Sequence, residues 1–562
     1  MPHPELDPDA FIPFLGVAKD FWVDNLGAPG ERVILVEAMS QALKVTLRNL
    51  TLANALRRVE PARVIVFSGA DEDWNQVVWT RFNLDEIRQL AAAYDVAEFF
   101  DIHQLVDQRA AGSSVDLEVG GVQLGGELPD SGIGAERFDQ IVYSTSCRMA
   151  KVARLDDSAE HHAKRAHVAR RSAEFAKIYE ALTSRLDVVA LISSHVDYDN
   201  FGLAVEAALR NDIPVLFPQS TGSFKAYALY PERLHGDAPI RASITEDVGE
   251  FFEKHLWSNR ELLADNSELT MHRAKATLGR PSWWRPGGEH SAVELRTQAE
   301  RGAIRRRAAA RVGLDPAKPT ISVFNHAISD ALGTNYEAFG DLGEWFEATA
   351  EFAAGHPEAN WLFLDHPQQW MYDATDFANQ VGERYAEQAH MKFLPSMELS
   401  KNFQVALTDL VLTVRGSVAT EYPCLGIPAL QAGWSEGSKC GFSTVAETPE
   451  EYFAMLSEHL DALVSGRRLL TEEQVERARL YTWFYRAASD VPTALTQHWA
   501  FAENGNLWSI LRIVMQQIES DAEPGFAAVR RLWTRREPFL TRFDLTRDPG
   551  ALFDQLAPVA AQ

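Results

Sequence analysis

The chain has 562 residues, 46% of them hydrophobic and 24% charged, so it can bury a substantial core and is long enough to predict two large domains. Its formal net charge of −25 argues against a nucleic-acid-binding protein, which needs a basic face for phosphates. No stretch reaches the roughly 18 consecutive apolar residues of a membrane span, and the first residues do not have the pattern of a secretory signal.

Cysteine usage points to a reducing compartment. Cys147, Cys424 and Cys440 lack metal-ligand spacing and cannot form a disulfide framework. We therefore expect buried thiols in a cytoplasmic protein.

Strands and helices alternate along the first half. Apolar strands are predicted at residues 32–37 and 63–68, on either side of an amphipathic helix at residues 40–58. This alternation predicts a parallel sheet covered by helices on both faces, and hence an α/β fold. Alternating apolar residues around Gly120-Gly121 predict a β-hairpin insertion near residues 113–126.

A strand, polar loop, helix and second strand beginning with Ile-Pro occur twice, around residues 187–217 and again around residues 409–430. The repetition predicts two similar halves joined by a segment rich in proline, glycine and arginine. The predicted organisation is an N-terminal domain (1–280), a linker (281–319), a C-terminal domain (320–500) and a helical segment (501–562) that crosses back to the N-terminal domain.

A basic cluster at residues 301–311 (RGAIRRRAAAR) stands out from this acidic chain. We interpret it as a solvated helix face near the domain junction. The alternative is contact with an anionic lipid or polymer through residues 305–307, which would place the protein peripherally at the inner membrane face.

Residues 409–430 (DLVLTVRGSVATEYPCLGIPAL) have the most informative pattern. They read as a strand, a tight turn at Gly416, a short helix ending near Gly426, and a second strand. Such a turn directs backbone N–H groups at a ligand, typically a phosphate. A second strand at residues 361–364 ends in Asp365-His366-Pro367, so the two strand ends together predict a nucleotide-phosphate site.

Ligands of open α/β sheets bind outside the carboxyl ends of the strands. In this site His366 would donate to the departing phosphate, Ser417 would bind phosphate, and Glu421 would accept hydrogen bonds from ribose hydroxyls. Their structural alternatives are a turn-capping histidine, a helix N-cap and a surface charge. The strand-end candidates are His326, Asp330, His366, Pro367, Arg415, Gly416, Ser417 and Glu421 in the second half, and Glu37, Ser194, His195, Asp197, Asp199 and Lys225 in the first.

A general base is expected from the first domain. His195, Asp197 and Asp199 give an HxDxD spacing that suits divalent ions, but no further ligand cluster supports a metal, and none is predicted. The chain also lacks a Walker A sequence, a GxGxxG turn and a G-x-S-x-G nucleophile elbow.

Three blocks resemble the bacterial capsule and surface-polysaccharide glycosyltransferases that include the Kdo transferases. These are VFNHAISDALG, NWLFLDHPQQW and TVRGSVATEYPCLGIPALQAGWSEGSKCGFSTVAETPEEYFAML. The third block is the most specific, because its glycine, glutamate, Gly-x-Pro and Thr-Pro-Glu-Glu-Tyr all fall in register.

The resemblance implies the GT-B architecture, with two Rossmann-like domains whose parallel sheets face each other across a cleft. It implies a nucleotide sugar, such as CMP-Kdo, bound by the C-terminal domain, and a glycan or glycolipid acceptor bound by the N-terminal domain, in capsule or lipopolysaccharide synthesis. The nucleotide sugar is a co-substrate, and neither a cofactor nor a metal is implied. Acceptor contacts are expected from Ser194, His195 and Lys225.

The chain departs from the family pattern at Leu364, where a lysine commonly stands. Phosphate neutralisation would then depend on Arg415, His366 or Lys439. The acidic catalytic residue of the first domain also has no match, so Asp197, Asp199 and Glu37 are hypotheses for it.

Two alternatives remain open from the sequence. One is another GT-B enzyme, a polyol-phosphate transferase or a sugar-nucleotide epimerase. The other is a catalytically silent nucleotide- or glycan-binding partner in polysaccharide assembly, which Leu364 favours.

Overall fold

A computed structural model describes residues 7–39, 43–69, 84–219, 223–234, 240–264, 298–330, 337–496 and 506–548. The chain forms two compact units. The first comprises Met1–Met149, Asp157–Gly236 and Ala487–Phe543, and the second comprises Ala150–Asp156, Asp237–Arg486 and Asp544–Gln562.

The strands are β1 (Val33–Glu37), β2 (Arg63–Ser68), β3 (Val96–Asp101), β4 (Glu118–Val119), β5 (Val122–Gln123), β6 (Val188–Ile192), β7 (Val215–Pro218), β8 (Ala226–Leu229), β9 (Thr320–Phe324), β10 (Asn360–Asp365), β11 (Met391–Pro395), β12 (Leu410–Thr413), β13 (Ala429–Gln431) and β14 (Thr444–Val445). The α-helices are α1 (Pro8–Asn25), α2 (Leu43–Arg57), α3 (Leu84–Ala93), α4 (Ile102–Ala110), α5 (Ala135–Ala150), α6 (Ala159–Arg185), α7 (Leu203–Arg210), α8 (Ile240–Phe251), α9 (Arg260–Ala264), α10 (Gln298–Val312), α11 (Leu342–Ala354), α12 (Gln369–Tyr372), α13 (Phe377–Arg384), α14 (Lys401–Leu407), α15 (Val418–Glu421), α16 (Pro449–Val464), α17 (Glu472–Trp483), α18 (Leu507–Gln517) and α19 (Pro524–Arg535).

The two units have the same sheet topology. The strand order is β3-β2-β1-β6-β7-β8 in the first unit and β11-β10-β9-β12-β13-β14 in the second. All neighbouring strands in these sheets pair in parallel except β7 and β8. In both sheets the order reverses between the first strand and the fourth, as in doubly wound nucleotide-binding sheets. The predicted α/β fold with two Rossmann-like domains is therefore confirmed.

A small antiparallel pair, β4 with β5, lies where the sequence predicts a hairpin. Its turn residues, Gly120 and Gly121, have φ angles of +62° and +91°. Both values are positive, which is why two glycines connect these strands.

The core of the first unit contains residues from both ends of its sequence. Helix α1 packs on α18, where the Trp508 ring lies 4.8 Å from Phe11 and 5.0 Å from Phe14 between centroids. Trp22 and Trp508 are fully buried. The C-terminal stretch of this unit begins at Ala487. Of the helical segment predicted at 501–562, residues 501–505 and 549–562 lie outside the described residues.

The core of the second unit is aromatic around its central strands. Phe363 of β10 stacks on Phe393 of β11 with centroids 4.4 Å apart, and Trp345 and Trp361 are fully buried. Every residue of β9 is buried as well. Continuous burial is expected for a parallel strand with helices on both faces.

The predicted linker differs from the structure. Helix α10, in the middle of that segment, belongs to the second unit, and so does α8, which the sequence assigned to the first domain. Arg305 pairs with Asp409 at 2.8 Å and donates to Leu407 O at 2.8 Å, and Arg301 donates to Thr408 O at 2.8 Å. The prediction of a solvated face is therefore wrong for these two arginines, which bond the C-terminal end of α14. Residues 281–297 of the predicted linker lie outside the described residues.

Arg306 and Arg307 of the same helix are exposed, and their contact with an anionic surface stays a prediction. Among the described residues, no helix combines the length and apolarity needed to cross a membrane. Within the same ranges, all three cysteines are buried and none is in a disulfide.

Candidate functional site

The switch point of the second sheet lies between β9 and β12. The loop after β9 carries His326 and Asp330, and the loop after β12 carries Arg415, Gly416 and Ser417. Because these strands are parallel neighbours, both loops leave the same edge of the sheet. Two motifs far apart in the sequence are thereby brought together.

Arg415 joins the two loops. Its side chain is 8% exposed, forms an ion pair with Glu337, and donates from Nη2 to Asp330 O at 2.8 Å. A buried guanidinium needs such partners, since an uncompensated charge in a protein interior is costly. The charge of Arg415 is thus already balanced in part before any ligand binds.

His326 lies beside this guanidinium, and burial, followed by the positive charge of Arg415, lowers the pKa of His326 to about 3. At neutral pH the ring is therefore uncharged, so it can exchange hydrogen bonds with a ligand but supplies no positive charge. Its ring stacks near His366, with centroids 6.2 Å apart.

His366 is oriented by the turn that follows β10. Its Nδ1 accepts a hydrogen bond from the Gln368 N–H at 3.2 Å, and the Gln369 N–H donates to His366 O at 2.9 Å across Pro367. Because Nδ1 is the acceptor, the neutral ring carries its proton on Nε2, which is then a hydrogen-bond donor.

Asp365, at the end of β10, supports the loop after β9 and the turn after β10. Its Oδ1 accepts from the His366 N–H at 2.8 Å and from Asn325 Nδ2 at 3.0 Å. Burial raises the pKa of Asp365 to about 6, although these two hydrogen bonds oppose the shift.

The short helix predicted between Gly416 and Gly426 is confirmed. It consists of one α-helical turn, α15, and a 3₁₀ turn at Pro423–Leu425, and it ends at Gly426 with φ +80°. Gly416 itself is required by close packing, because a Cβ there would lie 2.8 Å from Thr413 Oγ1. Because so short a helix contributes little dipole, a phosphate bound here would depend on side chains and individual N–H groups.

Ser417 does not cap this helix through its side chain; instead its Oγ donates to Glu421 Oε1 at 3.3 Å. Glu421 is only 3% exposed, and its carboxylate pairs with Arg486 at 2.8 Å and with Lys401 at 3.7 Å. We refer to Ser417, Glu421, Lys401 and Arg486 as the Glu421 cluster. Glu421 is thus a buried carboxylate held by two cations, which rules out the alternative of a helix-surface charge.

A cavity of about 210 Å³ opens beside the switch point. We call it the switch-point cavity. Its walls come from α8 (Arg241, Ile244, Thr245), the β9 loop (His326, Asp330), the β12 loop (Arg415) and the loop after β13 (Trp434, Ser435, Glu436). All these residues belong to the second unit.

Lys439 lies beside Trp434 of this wall. Its Nζ is 3.0 Å from Glu246 Oε1 and 4.4 Å from the centroid of the Trp434 ring. Direct contact of Lys439 with a donor phosphate, which the departure from the family pattern at Leu364 suggests, stays a prediction.

In the first unit, Glu37 and Ser194 anchor the corresponding switch point, between β1 and β6. Glu37 is fully buried and accepts hydrogen bonds from the Met39 and Ser194 N–H groups, the latter at 3.0 Å. Ser194 Oγ accepts from Arg48 at 3.0 Å and from Asn49 at 2.9 Å. Burial lowers the pKa of Arg48 to about 10, with the charge of Glu37 opposing the shift.

The HxDxD residues separate by burial. His195 is exposed, whereas Asp197 and Asp199 are 2% and 3% exposed. Asp199 accepts from Ser172 Oγ at 3.1 Å, and a π-helical turn begins at Tyr198, whose φ is +64°. Strained turns of this kind occur often at functional sites.

Lys225, expected on the acceptor side, is 5% exposed, and its carbonyl oxygen accepts from the Gln219 N–H at 2.6 Å. Among the described residues, no three acidic, histidine or cysteine side chains are grouped so as to hold a metal ion.

Sequence reasoning missed several residues of this site. Trp434 and Ser435 lie on the loop that follows β13, so the strand-end rule that identified His326 could have found them. Arg241, Lys401 and Arg486 come from helices distant in the sequence, and no local pattern marks them.

A scan against protein-family models finds no matching family, and a search of curated proteins finds no relative. Solved structures similar to this chain include a glycosyltransferase from Rickettsia africae, with 9% identity, 80% of this chain and 93% of that chain covered, and a TM-score of 0.28. A UDP-N-acetylglucosamine 2-epimerase has 10% identity, coverage of 79% and 94%, and a TM-score of 0.24. KpsC, a beta Kdo 2,4 transferase from Thermosulfurimonas dismutans, has 14% identity, coverage of 52% and 79%, and a TM-score of 0.27. At these scores the likenesses carry no functional argument, so function is argued from the site.

Proposed function

We propose that this protein is a glycosyltransferase that moves a sugar from a nucleotide-activated donor to a glycan acceptor. The observation that carries the proposal is the meeting of His326, Asp330 and Arg415 in one cavity beside the switch point of the second sheet. Ligands of doubly wound sheets bind at such a point. The resemblance of the surrounding sequence blocks to Kdo transferases favours a CMP-sugar such as CMP-Kdo as the donor.

In the proposed reaction, the bond between the anomeric carbon and the phosphate oxygen breaks, and its electron pair stays on the phosphate. His366 is suited to stabilise that oxygen, because its Nε2–H is a donor when Nδ1 accepts from the Gln368 N–H. Arg415 adds positive charge nearby, and Ser417 and Glu421 would hold the nucleotide through its hydroxyl groups.

The acceptor is proposed to bind the first unit through Ser194, His195 and Lys225. Its hydroxyl oxygen forms the new bond to the anomeric carbon and gives up its proton to a base. Asp197, Asp199 and Glu37 are the proposed candidates for that base. Glu37 already accepts hydrogen bonds from two main-chain N–H groups, which suits an anchor better than a base.

A thermal-shift panel of CMP, CDP, UDP, GDP and ADP tests the donor site. We expect one nucleotide at about 100 times its Kd to raise the Tm by roughly 5–10 °C, and His366→Ala to abolish that shift. The matched control is His356→Ala, because His356 is a partly exposed histidine of the same unit that pairs with Glu358 at 2.8 Å. This variant should keep the full shift.

The competing functions give different outcomes. Isomerisation of UDP-N-acetylglucosamine without acceptor would identify an epimerase, and transfer from CDP-glycerol would identify a polyol-phosphate transferase. Nucleotide binding without extension of any acceptor would identify a silent partner. If none of the nucleotides shifts the Tm, the proposal is refuted.

A further inference from the structure

We propose that the switch-point cavity is the subsite for the sugar ring of the donor and that Trp434 is the wall on which this ring stacks. The inference rests on the proposed function and assigns a part of that site to one chemical group. Neither the family resemblance nor the strand-end candidates single out Trp434.

Trp434 is held in place by a neighbouring ion pair. The Lys439 ammonium lies 4.4 Å from the centroid of the indole ring, and Glu246 of α8 fixes that ammonium at 3.0 Å. A cation over one face of an aromatic ring is attracted by the ring quadrupole, so the pair stabilises this orientation of the indole. Trp434 meanwhile contributes to the cavity wall.

The loop that carries Trp434 is also held by side-chain hydrogen bonds. Gln431, at the end of β13, is fully buried, and its Nε2 donates to Ser435 Oγ at 3.1 Å. Its Oε1 accepts from Ser438 Oγ at 3.1 Å and from Ser443 Oγ at 2.9 Å. From the helix side, Thr245 Oγ1 donates to Ser435 O at 3.2 Å. A ligand wall held this firmly needs little ordering when the ligand arrives.

The remaining lining suits a ring with several hydroxyl groups. Arg241 provides hydrogen-bond donors, Asp330 and Glu436 provide acceptors, and the uncharged His326 can be either. The two guanidinium groups of the lining, Arg241 and Arg415, are matched by the carboxylates of Asp330 and Glu436, and Arg415 also pairs with Glu337. The cavity therefore lacks the clearly positive charge that favours a phosphate. An aromatic wall combined with mixed donors and acceptors matches the apolar C–H face and polar edge of a sugar.

The size of the cavity agrees with one ring. At about 210 Å³ it is smaller than the roughly 300–1,000 Å³ pockets that enclose a whole drug-sized ligand. We therefore assign the cavity to the sugar, and the nucleotide to the neighbouring residues His366, Ser417 and Glu421.

Calorimetric titration of the full chain tests the assignment. The probes are three nucleotides and their sugar conjugates: CMP with CMP-N-acetylneuraminate, UDP with UDP-N-acetylglucosamine, and GDP with GDP-mannose. Trp434→Ala should weaken the sugar conjugate that binds by roughly tenfold and change the Kd of the parent nucleotide by less than about twofold. Trp434→Phe should restore most of the loss, and Lys439→Met should lose roughly threefold through the displaced indole.

The matched control is Trp370→Ala, because Trp370 is 73% exposed, follows β10 in the same unit and does not line the cavity. This variant should bind both ligands like the wild type. Equal weakening of nucleotide and conjugate by Trp434→Ala would make the cavity a base pocket and overturn the assignment. Unchanged binding of both would overturn it too. Failure of the wild type to bind any nucleotide would instead refute the proposed function, and the subsite with it.

Discussion

Replacing Glu421 by glutamine should destabilise the second unit by about 3 kcal/mol. Glu421 is 3% exposed, and its partners Arg486 and Lys401 are 13% and 10% exposed, so both cations would lose their buried counter-charge. At an effective dielectric constant of about 20, pairs at 2.8 and 3.7 Å have gross Coulomb energies of about 6 and 4.5 kcal/mol. Desolvation offsets much of this, and breaking a buried pair costs about 3–5 kcal/mol in practice.

The assay is scanning calorimetry of the full chain. For a domain of roughly 150–250 residues, 1 kcal/mol corresponds to a Tm change of about 2–4 °C, so Glu421→Gln should lower the transition of the second unit by about 6–12 °C. The matched control is Glu472→Gln, because Glu472 is 92% exposed and pairs with Arg468 at 3.6 Å. It should change the stability by less than about 0.5 kcal/mol.

A double variant separates the energy of the Glu421–Arg486 pair from the other destabilising effects of each substitution. Adding Arg486→Met to Glu421→Gln should cost less than the sum of the two single changes, with a coupling of at least about 1.5 kcal/mol, because the unpaired cation is removed together with its carboxylate. Additive effects, or a loss no larger than that of Glu472→Gln, would show that the Glu421 cluster is not a stabilising network.

Three further changes test two other features of the second unit and a helix of the first. Burial raises the pKa of Asp365 to about 6 from the ordinary 3.8, so the folded protein holds this proton more tightly than the unfolded chain does. The protonated carboxyl group therefore contributes its full stabilisation of the folded state below about pH 4, and this contribution is lost as the pH rises through 6. Asp365→Asn, which keeps an oxygen acceptor, should therefore stabilise the protein by on the order of 2 kcal/mol at pH 7 and by almost nothing at pH 4 in urea unfolding; a difference independent of pH would contradict this. Gly426→Ala should cost about 1–2 kcal/mol in the same measurement, since a Cβ there meets nothing within 4 Å but φ is +80°. Gly16→Ala, in the interior of α1 and equally without steric contact, should instead stabilise by about 0.5–1 kcal/mol, and equal signs for the two changes would refute the backbone argument.

Prediction from the sequence succeeded where the signal is local and periodic. The apolar run predicts a strand at residues 361–364, and β10 spans Asn360–Asp365. The run Thr448-Pro449-Glu450-Glu451 predicts the start of a helix, and Thr448 Oγ1 accepts from the Glu451 N–H at 3.2 Å ahead of the helix Pro449–Val464. The same approach missed β3, β11 and β14, because these strands are short or have mixed burial and therefore lack a clear period.

The candidate site was predicted only in part, because the strand-end rule identifies residues on loops but not what packs against them. It found His326 and Ser417 but could not foresee that Arg415 is already paired with Glu337. The predicted linker also places the boundary of the first domain at residue 280, although α8 belongs to the second unit and lines the cavity. Contacts between segments so distant in the sequence depend on the whole fold, and a single sequence has no local signal for them.

The sequence was enough to determine two Rossmann-like units from the order of its apolar strands and amphipathic helices and from the glycines at its tight turns. The reason is that the spacing of apolar residues decides which face of each strand or helix is buried. The adjacency of β9 and β12 agrees with the general topology of such sheets. Only the tertiary structure decided the ionic state and surroundings of the site. Glu421 lies between two cations, His326 is uncharged at neutral pH, and the Lys439 ammonium lies over the Trp434 ring. The physical reason is that charge balance and desolvation depend on distances in space, and residues from separate elements meet only when the chain has folded.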